Sequence, residues 1–355
     1  SQVYGAETNV SGNNSVAIGD TNTVASDRTY VMGNNINAPA GTQNSLAFGT
    51  RASVGGASSI AMGLDSKTNT DGSIAMGLYS EAGGPITNGK PGINATAIGT
   101  EAKALGLSAV AMGYRATVEN GHDSIAIGVA AKSTNKKSTA IGTLSEASGE
   151  QSTVISNNYD AKGGQSISVA SGRRSQIYGS ETTVSGEQSV AIGDTNNVAS
   201  ARTYAMGNNI NVAAGADDSL VFGTQANVGA VHSIAMGTTA ATGIGSIALG
   251  KSASATEQRA IAMGENALAG NEASMALGYN SSAKGSKQVS IGLGAGALKN
   301  ATDAGAELAT FVGHYAGADN ASPTGNAQGV AVGVNAGRYG VSGIRNVAVG
   351  PNTGQ

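Results

Sequence analysis

Cysteine and tryptophan are both absent from the 355 residues, and other aromatic and charged side chains are scarce. The lack of cysteine excludes disulfides and thiolate metal sites. Charged residues make up only 12% of the sequence, against a usual share of roughly 25%. No apolar run reaches the roughly 18 residues of a membrane-spanning helix. This composition differs from that of an ordinary globular domain and points to internal repeats.

The charges that are present nearly cancel, with 20 basic and 23 acidic residues. Because nucleic-acid binding relies on an excess of basic side chains, we expect no nucleic-acid partner, and no membrane contact by this part of the chain. Glycine is abundant, at 54 residues, yet 40% of the sequence is apolar. The composition therefore predicts an ordered protein with a core of Ala, Val, Ile and Met rather than a disordered chain.

One short phrase recurs at intervals of about fourteen residues, as in Ser15–Gly19, Ser59–Gly63 and Ser124–Gly128. It reads Ser-Val/Ile-Ala-Ile/Met-Gly. Glycine at the end of the phrase is suited to a tight corner that needs a positive φ or a close backbone approach. We predict that these glycines are structural turn residues: Gly19, Gly33, Gly49, Gly63, Gly77, Gly113, Gly128, Gly193, Gly207, Gly237, Gly264 and Gly278.

A second pattern lies between the glycines, where small residues alternate, as at Ala102 and Ala104. Alternation with period two is typical of a strand and does not fit one face of a helix. Each repeat is thus predicted to form two short strands joined by turns. About two dozen such units indicate an all-β solenoid in which each coil pairs with its neighbours.

The phrase is apolar on both faces, whereas the second strand is apolar only at alternate positions. We expect the phrase to be buried on both sides and the second strand to face water. A coil of fourteen residues buries too little to be stable alone, so the alanine faces of several chains are predicted to pack together in a homo-oligomer. Aromatic residues within the phrases, such as Tyr30, Phe48, Tyr204 and Phe222, are expected to fill the core.

A larger duplication divides the chain, because residues 1–63 align without gaps to 175–237, with 44 of 63 positions identical. We assign 1–174 to a first block of repeats and 175–292 to a second, duplicated block. The wider and irregular coils at 293–355 are a third part of the same solenoid. The first block contains a Pro- and Gly-rich insertion near residues 79–95, predicted to protrude as a loop.

Catalytic and metal-binding patterns are not found. The three histidines, His122, His232 and His314, are isolated and are expected in solvated turns. No nucleophile stands beside a base, so we predict no enzyme activity, no cofactor and no metal site. Two other solenoid classes fit poorly: acyltransferases have an eighteen-residue coil, and ice-binding solenoids need threonine ranks at one coil position.

The phrase at Asn14–Gly19, its fourteen-residue period and the strand at Ala102–Gly106 resemble the head repeats of trimeric autotransporter adhesins, the YadA-like head. The resemblance covers residues 1–292 most strongly. It implies a homotrimer of left-handed parallel β-rolls, held at the bacterial cell surface by an outer-membrane anchor that is missing from this sequence. The family's neck and stalk are missing as well.

The resemblance also implies adhesion to a host cell-surface receptor or to extracellular matrix, such as collagen, fibronectin, laminin or a CEACAM-type receptor. The alternative is a structural spacer rod of a surface or phage fibre, with the binding part elsewhere. Receptor contacts are predicted in the protruding segment, and also in the loops 299–308 and 319–328. The residues chosen in the segment are Tyr79, Glu81, Ile86, Asn88, Lys90 and Asn94.

Overall fold

A computed structural model describes residues 1–84, 92–156, 168–297, 307–318, 328–338 and 345–354. Within these residues the chain forms strands and turns and no helix. It is an all-β parallel solenoid of about 22 turns, as the repeat predicts. The chain divides into two compact units, Ser1–Val184 and Ser185–Gln355.

Each coil contributes one strand to a first sheet, built from the glycine-ending phrases. The bounds of these first-sheet strands in the first unit are Gln2–Tyr4, Val16–Ile18, Tyr30–Met32, Leu46–Phe48, Ile60–Met62, Ile74–Met76, Thr96–Ile98, Val110–Met112, Ile125–Ile127, Thr139–Ile141, Thr153–Ile155 and Gln176–Tyr178. In the second unit they are Val190–Ile192, Tyr204–Asn208, Leu220–Thr224, Ile234–Met236, Ile247–Leu249, Ile261–Met263, Met275–Leu277, Val289–Ile291, Thr310–Val312, Gln328–Val332 and Arg345–Val349.

A second sheet is built from the shorter strands between the phrases. The second-sheet strands of the first unit are Asn9–Val10, Thr23–Val24, Asn37–Ala38, Ser53–Val54, Lys67–Thr68, Glu81–Ala82, Lys103–Ala104, Thr117–Val118, Lys132–Ser133, Ser145–Ala147, Ser168–Ala170 and Thr183–Val184. Those of the second unit are Asn197–Val198, Asn211–Val212, Asn227–Val228, Ala240–Ala241, Ser254–Ala255, Leu268–Ala269 and Ser282–Ala283.

Neighbouring coils pair in parallel and in register, so the same position of each coil forms a column along the stack. Ile60 pairs with Ile74, and Met62 with Met76. The register continues across the 79–95 insertion, where Ile74 pairs with Thr96. Extra residues in a turn therefore leave the strand columns intact.

The core consists of small side chains, because the two strands of one coil lie close together. Ala61 in the phrase and Val54 and Thr68 in the second sheet are fully buried. Serine at the start of the phrase is buried as well and satisfies backbone groups: the Ser59 hydroxyl donates to the Thr70 carbonyl at 3.0 Å and accepts the Ser73 N–H at 3.3 Å. The Ser59 hydroxyl thereby joins its coil to a turn of the next coil.

The prediction that alanine faces pack between chains is wrong. Ala61 is already 0% exposed within a single chain, whereas Met62 on the opposite side of the strand is 37% exposed. The bulky aliphatic side chains of the phrase point outward, and the interior holds mostly Ala, Ser, Thr and Val, with a few larger side chains at Ile36, Ile177, Ile210, Gln288 and Phe311. The alternation predicted that the strand has two different faces. The prediction placed the alanine face on the outside of the chain, whereas in the structure alanine faces inward and the bulky aliphatic residues face outward.

Two further expectations about single residues are also wrong. Tyr30 and Tyr204, expected to fill the core, are 48% and 56% exposed, because they occupy the outward position of the phrase. His122, expected in a solvated turn, is only 8% exposed. Its Nδ1 accepts the Leu107 N–H at 3.3 Å, in a coil that has one residue more than fourteen.

The glycines chosen from the sequence lie where the chain leaves the first sheet, and all have positive φ. At Gly63, φ is 132°, and a Cβ atom would lie 2.5 Å from the Gly77 carbonyl oxygen of the next coil. Both the backbone conformation and the space between coils therefore require glycine there.

Replacing Gly63 by alanine is expected to lower the free energy of unfolding by about 2 kcal/mol or more, because strain in φ adds to a backbone clash. Gly270→Ala is the matched control, since the nearest atoms to its Cβ would lie at 3.9 Å. Thermal unfolding followed by circular dichroism measures both variants. Equal melting temperatures for the two would contradict this account.

Candidate functional site

The outward side of the first sheet is an apolar face, made by the first and third residues of each three-residue phrase strand. In the coils around residue 60 it carries Ile60, Met62, Ile74 and Met76, which are all at least partly exposed. All eight methionines of the sequence lie at these outward positions. Contiguous exposed apolar surface of this kind marks an interaction surface.

A second surface lies on the first unit, where charged side chains line a shallow groove of about 640 Å³. We call it the charged groove. Two columns of the solenoid build it, one at the corner after the phrase and one on the outward side of the second sheet. Its lining residues are Asp65, Lys67, Tyr79, Ser80, Glu81, Glu101, Lys103, Arg115, Thr117 and Glu119.

The second-sheet column of the groove alternates in charge. Lys67 pairs in register with Glu81, Glu81 with Lys103, and Lys103 with Thr117. Successive members are about 4.8 Å apart along the stack. The Glu81 carboxylate accepts the Asn69 side-chain amide at 2.8 Å, which orients it on the sheet.

The corner column is held by backbone geometry. Asp65, Tyr79, Glu101 and Arg115 all have φ between 55° and 58°. This left-handed conformation is strained for such residues and persists because each N–H donates to the coil before, as Tyr79 does to the Leu64 carbonyl at 3.0 Å. The side chains consequently project from the solenoid at fixed intervals.

Ion pairs join corner residues of successive coils. Arg51 contacts Asp65 through two bonds, Nε to Oδ1 at 2.7 Å and Nη2 to Oδ2 at 2.5 Å. Arg115 contacts Glu101 at 2.8 Å. These pairs are solvent-exposed and fix side-chain positions more than they stabilise the fold. The groove therefore presents both signs of charge in a set pattern.

The Arg51–Asp65 pair shifts both ionisation equilibria. The hydrogen bond from Arg51 lowers the pKa of Asp65 below its ordinary value, and the hydrogen bond to Asp65 raises the pKa of Arg51. A lowered carboxyl pKa favours the charged form in the folded state. The contribution of the pair to stability is thus present above the ordinary Asp pKa and is lost as the pH falls through the lowered one.

Of the six residues predicted to contact a receptor, Tyr79 and Glu81 line the charged groove. Asn94 lies in the turn just before the first-sheet strand of the following coil. It is exposed, has a φ of 55° and does not line the groove. Ile86, Asn88 and Lys90 fall in 85–91, outside the described residues. Most of the loops 299–308 and 319–328 also falls outside them.

Sequence reasoning missed the basic and acidic partners in the groove, Lys67, Glu101, Lys103 and Arg115. They span 48 residues of the sequence, from Lys67 to Arg115, and form no local motif. The available signal was positional, because these residues stand two or four places after a phrase glycine in successive coils. Sorting charged residues by coil position would have brought them together.

Two hollows smaller than the charged groove lie at aligned positions in the two duplicated blocks. Arg28, Tyr30, Asn44, Ser45 and Leu46 line one of about 400 Å³. The aligned Arg202, Tyr204, Asp218, Ser219 and Leu220 line most of another of about 420 Å³. The hydrogen bond from Arg28 to Asn44 becomes an Arg202–Asp218 ion pair in the second copy.

Over the described ranges, no cluster of three or more His, Asp or Glu side chains is arranged to hold a metal ion. The same ranges contain no helix with the length and hydropathy to cross a bilayer.

Replacing Arg51 by glutamine is expected to return the pKa of Asp65 toward its ordinary value, because the dominant hydrogen bond from the guanidinium is lost. A carboxyl carbon NMR titration measures it. Arg202→Gln is the control, which should move the pKa of Asp218 and leave that of Asp65 in place. An unchanged Asp65 titration in Arg51→Gln would refute the assignment.

Comparison with curated proteins gives no match. A family model, the YadA head domain repeat, matches ten segments of the chain, of which two pairs overlap. The matched residues are 5–26, 40–66, 55–80, 91–116, 120–145, 133–155, 179–196, 214–240, 241–267 and 269–297. These segments cover well over half of the sequence and contain most of the paired coils described above. The chain belongs to the YadA head domain repeat family.

Proposed function

We propose that this chain is the non-enzymatic head of a trimeric bacterial surface adhesin, which assembles through its apolar face and attaches to the host through the charged groove. Family membership carries the proposal, since it supports a surface adhesin-like role outside the cell. The β-solenoid architecture points the same way, toward a structural adhesin rather than an enzyme.

The assembly step is argued from the outward side of the first sheet. Most coils leave two bulky apolar side chains partly exposed there, such as Ile60 and Met62. Burial of such a side chain contributes roughly 1.5–3 kcal/mol when complete. Packing the face against further copies around a closed axis removes it from water without leaving an open end, and the family favours three chains.

The first measurement is light scattering, with an expected mass of about three times the 34.6 kDa chain. Replacing Met76 and Met112 together by aspartate is expected to shift the mass toward one chain, since burying an unpaired carboxylate is costly. Lys67→Asp on the opposite face is the control and should leave the mass unchanged. A wild-type mass of one chain would rule out this assembly.

Attachment is assigned to the charged groove and the adjoining segment 85–91. The ends of that segment are anchored, since Thr70 donates to the Gly92 carbonyl at 2.8 Å and the Gly92 N–H donates to the Gly84 carbonyl at 3.3 Å. The groove gathers charged side chains in a chain that has few. This concentration favours an adhesive head over a spacer rod, whose surface needs no such cluster. The host molecule is proposed to be matrix protein or a cell-surface receptor.

Excising residues 85–91 and joining Gly84 to Gly92 is expected to abolish attachment of the coated head to host cells. The fold should survive, because the interval from Gly77 to Gly99 becomes fifteen residues, as already occurs between Gly113 and Gly128. Cell counts on coated plastic measure binding, and circular dichroism checks the β-content. Full attachment by the excised head would disprove the role of this segment, and a wild-type head that retains no cells would favour the spacer.

A further inference from the structure

A third outward column runs along the corner that follows the phrase, between the apolar face and the charged groove. Between residues 63 and 130 it carries four apolar side chains, which we call the corner strip. Thr100 occupies the column in the middle of them. The members of the strip and their exposed fractions are Leu64 at 39%, Leu78 at 37%, Tyr114 at 43% and Val129 at 46%.

Backbone hydrogen bonds stack the column from coil to coil. The carbonyl of Leu78 accepts the Glu101 N–H at 2.8 Å, and that of Tyr114 accepts the Ala130 N–H at 2.8 Å. Four steps of about 4.8 Å separate the coil of Leu64 from that of Val129, a length of about 19 Å. The strip is therefore a narrow apolar line, interrupted only at Thr100.

This apolar line is a local feature and not part of the repeat. The first coil carries Ala6 at the same corner position, which is occupied by polar residues in the next three coils of the first unit and in the first six coils of the second unit. Those residues are Asp20, Asn34, Thr50, Asp194, Asn208, Thr224, Thr238, Lys251 and Glu265. Since these coils carry the same outward aliphatic positions, packing of the apolar face does not require an apolar corner.

The strip adjoins the charged groove residue by residue. Asp65 directly follows Leu64, Tyr79 follows Leu78, and Arg115 follows Tyr114, with the Arg115 guanidinium 4.9 Å from the centre of the Tyr114 ring. An apolar line beside polar side chains of both charges is the pattern of a protein–protein interface. A nucleic acid would need an excess of positive charge, and a sugar polymer would leave aliphatic leucines unmatched.

We infer that the corner strip and the charged groove together bind a polypeptide segment that presents a line of apolar side chains flanked by acidic and basic ones. The inference rests on the proposed adhesive function and narrows its ligand class to protein. The strip supplies the buried contacts, and the groove sets orientation through complementary charge.

The test replaces Leu64, Leu78, Tyr114 and Val129 together by threonine, the residue that the chain itself carries at this corner in Thr50, Thr100 and Thr224. Binding of the coated head to epithelial cells is expected to weaken at least about tenfold, with unchanged β-content and mass. The control replaces Tyr279 and Leu293, which occupy the same column in the second unit but precede Asn280 and Gly294. Tyr279→Thr with Leu293→Thr should bind as wild type.

Treatment of the cells identifies the ligand class. Trypsin should remove the binding of the wild-type head, and periodate oxidation of surface glycans should leave it in place. Wild-type binding by the four-threonine variant, loss of binding with periodate alone, or a lower mass of the variant would each overturn the inference, the last by assigning the strip to a second copy. If excision of 85–91 abolishes binding and the threonine variant retains it, the adhesive function stands and the inference fails.

Discussion

The narrow interior of each coil governs the rest of the molecule. Between two short strands that turn back on each other within about fourteen residues, the interior holds mostly alanine, serine, threonine and valine, and isoleucine at a few positions such as Ile36 and Ile177. Ala61 and Val54 therefore lie inside and Met62 lies outside. The apolar side chains that an ordinary domain would place in its centre are displaced to one outer face, where they form a contiguous exposed apolar surface.

Because the coils pair in parallel and in register, the position of a residue within its coil determines where it lies on the surface of the solenoid. Residues at one offset from the phrase glycine form a column whatever their separation in sequence, so adjacent columns can differ in chemistry while sharing one scaffold. Outward methionines, the corner strip and the Lys67–Glu81–Lys103 column lie side by side for this reason. A local change of residue type in a few coils creates a distinct surface without altering the strands beneath.

Much of the fold could be predicted from the sequence because the phrase repeats the same alternation and ends on the same residue. Strand identity, coil length and parallel stacking followed from that period. Which side of the strand faces inward did not follow, since alternation distinguishes two faces without showing which one is buried, and the alanine prediction failed on this point.

Of the charged groove, only Tyr79 and Glu81 were predicted from the sequence, because its other members, such as Arg115, become neighbours only when coils separated by an insertion are stacked. His122 lies in a coil of fifteen residues, and the sequence reveals the extra residue without revealing that the imidazole is buried.

The backbone hydrogen bond between Gly84 and Gly92 has a consequence for sequence variation between them. The Gly92 N–H donates to the Gly84 carbonyl at 3.3 Å, and without residues 85–91 the coil would have the fifteen-residue length already present between Gly113 and Gly128. Changing the number of residues between Gly84 and Gly92 costs mainly loop-closure entropy, about 0.6 kcal/mol for each doubling of the loop length. The segment between these glycines can therefore be exchanged for another while the scaffold stays the same, and the same junction offers an engineer a place to graft a foreign epitope.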